Sequence, residues 1–264
     1  MYDERADFQH HMQEVDEAFD LLSRLSLWPN PMSVALDIGG GQGMHCGFLQ
    51  RRCESVFCAD IIDYSSLYEG SFPQKLREKH ERNHHALDLS RCAFVKTDAM
   101  RLLFRDGFFD MCFSFNAFEH IPNPTLAFME VLRTLRTGGI AYISLDPIWS
   151  CDSGSHFSHQ VRAPWQHLIS STAEFRTLMR AGGATDAEIA EFPGAMNQCR
   201  AVDFNSAVSS ATQAIPAEVV LQDSYSGLCD PLHAQHPNFE AAKRLGFSPE
   251  ELTLRRLRWI IKKL

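Results

Sequence analysis

The sequence predicts an α/β protein built on a doubly wound, mostly parallel sheet. Three observations carry this expectation. Short apolar runs recur along the first 146 residues, and helical stretches separate them. Several of those runs end in an acidic residue. The first, Val34-Ala35-Leu36-Asp37-Ile38, breaks directly into Gly39-Gly40-Gly41-Gln42-Gly43. Strand–helix alternation is the pattern of parallel sheets with helices on both faces. A glycine turn between a buried strand and a helix lets backbone approach a ligand closely and offers free N–H groups.

The dinucleotide pattern G-x-G-x-x-G does not fit this turn. Its third glycine would fall at Met44 or Cys46, depending on the start. The residues read instead as D-x-G-G-G-x-G.

Composition narrows the class. The 264 residues have room for one large domain, or one with an insertion, and the 45% hydrophobic and 22% charged content is that of a globular protein. A net charge of −8 argues against nucleic acid as a partner. The basic run from Arg255 to Lys263 alternates with apolar residues and reads as the solvated face of a strand. No window has the roughly 18 apolar residues of a membrane span. The polar start Met1-Tyr2-Asp3-Glu4-Arg5 shows no signal peptide, so a cytoplasmic location is expected. The eight cysteines form no C-x-x-C pair; they read as reduced, with Cys58 and Cys112 inside buried strands.

Along the chain, Phe8, Met12, Val15, Phe19, Leu22 and Leu25 have helical spacing, and Pro29 and Pro31 stop that helix. It covers one sheet face or folds over the ligand. A helix from 44 to 52 follows the glycine turn. The strand Ser55 to Ala59 then ends in Asp60, nineteen residues after Gly41, where a carboxylate can accept hydrogen bonds from both ribose hydroxyls of a nucleoside. Asp63 is the near competitor. Residues 65 to 90 read as a surface helix and loop, with His80, His84 and His85 on a solvated face.

Phe94 to Ala99 is the third strand, containing Asp98, and Met111 to Phe115 the fourth. A helix through Leu135 follows, stopped by Thr137-Gly138-Gly139, and Ile140 to Leu145 is strand five. Helices are expected over 172–181 and 197–213, a strand at 217–223 and another at 253–262.

Four segments together resemble the class I S-adenosylmethionine-dependent methyltransferases of the small-molecule kind. They are the glycine turn, the Leu103 to Asp110 approach to strand four, Asn116-Ala117-Phe118-Glu119-His120-Ile121-Pro122-Asn123-Pro124, and Leu132 to Leu145. The second departs from the usual L-P-F pattern by Leu103 in place of proline. The resemblance implies a Rossmann-like seven-stranded sheet with an antiparallel last strand and an inserted lid. The corresponding parts are a helical cover over 1–33, a cofactor-binding core over 34–147, an insertion over 148–196 and a completion of the sheet over 197–264.

It also implies S-adenosyl-L-methionine as cofactor. Asp37, Gly39, Gly41, Gly43, Asp60, Ile61, Asp98, Ala99 and Asn116 would bind it, with Asp98 and Ala99 meeting the adenine. The implied partner is a small-molecule methyl acceptor, most naturally a hydroxyl of a sugar or natural-product-like molecule, and a homodimer stays open. Carbon or nitrogen methylation, or a non-catalytic scaffold, are the alternatives. A hydroxyl acceptor needs a base, and the candidates are His120, His156 and His159. Ubiquinone-type relatives hold a divalent ion with E-x-x-E-H; Asn116 replaces the first carboxylate here, so no metal is expected.

Overall fold

In a computed structural model, which describes residues 3–28 and 33–264, the expected alternation is present. Pro29 and Pro31, expected to stop the first helix, lie outside the described residues. The elements are α1 (Glu4–Arg24), β1 (Val34–Ile38), α2 (Met44–Leu49), β2 (Ser55–Asp60), α3 (Phe72–Arg82), β3 (Cys92–Lys96), β4 (Phe109–Phe115), α4 (Pro124–Thr134) and β5 (Leu135–Leu145). After them come α5 (Gln166–Ile169), α6 (Thr172–Ala181), α7 (Asp186–Glu191), α8 (Ala201–Ala214), β6 (Ala217–Ser226), α9 (Pro237–Arg244), α10 (Pro249–Thr253) and β7 (Leu254–Lys263).

The seven strands form one sheet in the order β3-β2-β1-β4-β5-β7-β6. The first five strands in that order are parallel, and β7 runs antiparallel to both β5 and β6. The order reverses between β1 and β4, and ligands of open α/β sheets bind outside the strand ends at such a switch point.

Period-two alternation distributes the core over both faces. Leu36, Ile38 and Cys112 face α4 and α8 in one apolar cluster. Ala35, Met111, Phe113 and Phe115 face α1 and α2 in the other. Asp3 caps α1 by accepting from Arg5 and Ala6 N–H groups, and Phe8, Val15, Ala18, Phe19 and Leu22 form its buried stripe. Residues 148–196 hold a small core of their own, with Trp149, Phe157, Phe175 and Phe192 among its members. All eight cysteines are free. No helix among the described residues is long and apolar enough to cross a membrane.

Three expectations need correction. Thr137-Gly138-Gly139 lie inside β5 rather than stopping α4. The helix ends at Thr134, Leu135 is already extended and pairs with Phe109, and a register shift absorbs the irregular glycine segment. The cations of β7 are held rather than freely solvated: Arg255 pairs with Asp146 at 2.9 Å, Arg256 with Glu17 at 3.2 Å, and Arg258 with Asp223.

His80 is not solvated but fully buried. Its ring fits against Gly47, where a Cβ would come within 2.5 Å of it, and lies 5.1 Å from the Phe8 ring. Burial, with His85 beside it, pushes its pKa down to about 4. A histidine whose folded pKa is depressed stabilises the fold above its ordinary pKa, and that contribution is lost as pH falls toward the folded value. Stability should therefore drop by about 3 kcal/mol from this group between roughly pH 6.5 and 4. Denaturant titrations should show His80→Phe losing less than the wild type over that window; identical pH profiles would contradict it.

Candidate active site

Three cavities open at the carboxyl ends of β1, β2, β4 and β5, and Asn116 lines all of them. The first, of about 380 Å³, runs from the glycine turn across the ends of β2 and β3. Asp60, Ile61, Asp98 and Ala99 line it, as do Gly39 and Gly41. Four of the resemblance's strand-end positions thus face one space, because each follows a parallel strand that ends at the same edge.

Asp60 also holds the turn in shape. Its Oδ2 accepts from the Gly41 N–H at 3.0 Å and its Oδ1 from the Ile62 N–H at 2.9 Å. Asp98 Oδ1 accepts from the Met100 N–H at 2.8 Å. Each carboxylate retains acceptor capacity toward the cavity. Ile61 is largely exposed, and with Ala99, Met100 and Leu102 it gives the cavity apolar wall for a flat ring. Gly39 has φ +67°, and a Cβ there would lie 2.2 Å from that of Ala117. Only glycine suits that place.

Asp37 and Gly43, also expected to bind cofactor, stand behind the turn and line none of these cavities. A Cβ at Gly43 would meet the Phe94 ring at 2.6 Å, so its role is packing. Asp37 is fully buried and neither of its oxygens has a hydrogen-bond partner. Burial raises its pKa to about 6, and the nearby Asp60 adds to the rise while His45 opposes it.

The second cavity lies on the α1 and α3 side of the glycine turn, lined by Gln42, His45, His11 and Lys75 among others. The third, of about 220 Å³, lies between α1, the ends of β4 and β5, and the start of β7.

Sequence reasoning did not single out Glu14, which ties these parts together. Its Oε1 accepts from Asn116 Nδ2 at 2.6 Å, and its Oε2 lies 3.0 Å from His45 Nε2 and 3.1 Å from His11 Nδ1. Burial opposes ionisation, but the bonds from His11 and His45 outweigh it and hold the Glu14 pKa well below the usual range. The same contact, with Asp37, raises His45 against its burial. The leading helix therefore does both things left open for it: it covers the sheet and reaches over the site.

The three expected bases separate. His120 lines the first cavity, and its Nδ1 donates to the Ala195 carbonyl at 2.6 Å, which leaves Nε2 as the acceptor of a neutral ring. His156 packs edge-on against it, ring centroids 5.0 Å apart. Although one side of His156 is exposed, desolvation by its neighbours, then His120, pushes its pKa down to about 4. His159 is exposed and lines none of the three cavities. Glu119 joins the pair, one potential ligand atom from each residue lying within 4.8 Å of the others. Glu119 is itself buried with both oxygens unpartnered, and burial raises its pKa well above the carboxylate range.

Residues 36–143 match the family model described as a methyltransferase domain. An uncharacterized methyltransferase of Mycobacteroides abscessus is 30% identical over 138 residues, 49% of this chain and 48% of that protein. One from Mycobacterium leprae is 33% identical over 123 residues, 47% of this chain and 40% of that protein. The chain thus spans about half or less of the curated relatives it matches. Among solved structures, a geranyl diphosphate C-methyltransferase from Streptomyces coelicolor shares the fold with a TM-score of 0.54 at 12% identity, over 96% of this chain and 77% of that one. An S-adenosylmethionine-dependent methyltransferase from Methanosarcina mazei gives 0.53 at 15% identity, over 91% and 96%. Residues 36–143 thus carry a methyltransferase-domain match, inside a fold shared with these solved methyltransferases.

Asp60→Ala should weaken S-adenosylhomocysteine binding by about 1.5–3 kcal/mol, the cost of losing hydrogen bonds to a charged group. Calorimetric titration checks this, and unchanged affinity would remove Asp60 from the ribose position.

Proposed function

We propose that this protein transfers a methyl group from S-adenosylmethionine to a small-molecule acceptor, at a hydroxyl of a sugar or natural-product-like compound. One observation carries the cofactor reading: Asp60 and Asp98 open on a single cavity, with the close-approach glycines Gly39 and Gly41 between them. A ribose at Asp60 and an adenine at Asp98 and Ala99 use the spacing of strands β2 and β3. The polar third cavity, which shares the lining residue Asn116 with the first, supports a hydroxylated acceptor over an apolar one.

The protein's part in such a displacement is to position donor and acceptor and to exclude water. Asn116 suits the positioning role. Its backbone is fixed by an N–H bond to the Ser144 carbonyl at 2.9 Å and its side chain by Glu14, so it presents one shape to all three cavities.

Mass spectrometry of the purified protein should find co-bound S-adenosylmethionine or S-adenosylhomocysteine, and calorimetry should show no comparable affinity for NAD. Tritium from methyl-labelled cofactor should then appear in a neutral hydroxylated product. Tighter binding of NAD would overturn the reading. Cofactor binding with no transfer to any acceptor class would favour a scaffold.

We also infer that the reaction runs without a divalent ion. Asn116 stands where the metal-binding pattern has its first carboxylate, and its amide is turned to Glu14. Chelator should leave turnover unchanged. A loss restored by magnesium would make Glu119, His120 and His156 ligands instead.

A further inference from the structure

We propose that the third cavity is the acceptor site, and that it takes a neutral, hydroxyl-rich molecule of monosaccharide size. This rests on the methyltransferase reading above and deepens it. The sulfonium sulfur of the cofactor carries three carbons: the adenosyl group, the aminocarboxypropyl tail and the methyl. Asn116 lines all three cavities, so the substituents and the cavities can be matched.

The first cavity has the apolar walls and the two strand-end carboxylates that an adenosyl group needs. The second borders the glycine turn and offers His11 and Lys75, suited to the zwitterionic tail. The methyl is left facing the third, and the nucleophile must approach along that line.

The lining fixes the chemistry of what enters. One stripe of α1 supplies Gln13, Glu14 and Glu17, and β5 supplies Tyr142, Ser144 and Asp146. The Tyr142 ring is the one large apolar surface among these residues, so a prenyl chain or a polycyclic aromatic gains little there. Each carboxylate already has a counter-group. Asp146 faces Arg255 at 2.9 Å, Glu17 faces Arg256 at 3.2 Å, and Glu14 is faced by Asn116 and three histidines, His10 (itself in the lining), His11 and His45. Neither a cation nor an anion finds an unmatched charge, whereas hydroxyls find donors and acceptors of both kinds. The volume of about 220 Å³ equals some seven waters at roughly 30 Å³ each.

The step balances within this cavity. An acceptor hydroxyl oxygen attacks the methyl carbon opposite sulfur, and the O–C bond forms as the S–C bond breaks. The electron pair stays on sulfur as S-adenosylhomocysteine, and the hydroxyl proton passes to the Asp146 carboxylate. Burial raises the pKa of Asp146, against the pull of Arg255, which suits it to accept a proton. His120 lines the first cavity and not the third.

Saturation-transfer NMR on S-adenosylhomocysteine-loaded protein tests this with glucose, galactose, mannose and rhamnose against geraniol. At least one hexose should give signal and geraniol none. Gln13→Trp, at an exposed helix position, should reduce the hexose signal at least tenfold while S-adenosylhomocysteine affinity stays within twofold. With methyl-labelled cofactor and the bound hexose, Asp146→Asn should lower kcat about 10²–10⁴-fold with little change in KM, and His159→Ala should change neither. Hexose signal indifferent to Gln13→Trp, or geraniol alone binding, overturns the acceptor site. Failure of the wild type to bind S-adenosylhomocysteine would instead bring down the methyltransferase reading itself.

Discussion

The site depends on the position of Asn116. It ends β4 at the point where the strand order reverses, with a left-handed backbone (φ +51°) that asparagine tolerates better than most residues. Its N–H is tied to β5 through Ser144 and its amide to α1 through Glu14. The residue therefore stands where the sheet, the glycine turn and the leading helix meet. Loss of the Glu14 bond would leave a half-buried carboxylate oxygen without its Asn116 donor and loosen α1 from the site.

Electrostatics sharpen that arrangement. Glu14 is kept ionised while Asp37, 3.8 Å from the other side of the His45 ring, is pushed toward its neutral form. A histidine drawn between an anion and a buried acid locks α2 against α1 through charge and not only through apolar contact. The glycine turn is thus braced from behind by Asp37 and His45, and from the front by Asp60.

Much of this was legible in the sequence for a physical reason. Strands buried on both faces read as continuous apolar runs, and an acid placed just where such a run ends marks the carboxyl edge of a parallel sheet. That is why Asp60 and Asp98 could be located, although β3 ends at Lys96, two residues before Asp98, and β5 begins at Leu135 rather than Ile140. Glu14 could not be found this way, since it is one acid among several on the polar face of α1. His80 was misread because its neighbours Lys79, Glu81 and Arg82 are charged, although its own turn of α3 faces Gly47. The third cavity draws on four segments far apart in the chain, and no local pattern announces such a meeting. The three histidines were legible as residue types but not as places; only the fold shows that His120 and His156 meet while His159 does not join them.

The central claim is that three cavities converging on Asn116 receive the three arms of a sulfonium cofactor. A crystal structure of the protein with S-adenosylhomocysteine tests it most directly. The account predicts adenine against Asp98 and Ala99, ribose hydroxyls on Asp60, the tail running past Gln42 toward His11, and sulfur beside Asn116 with its open face to Ser144 and Asp146. Adenine or tail density occupying the space between α1 and β5 would contradict it.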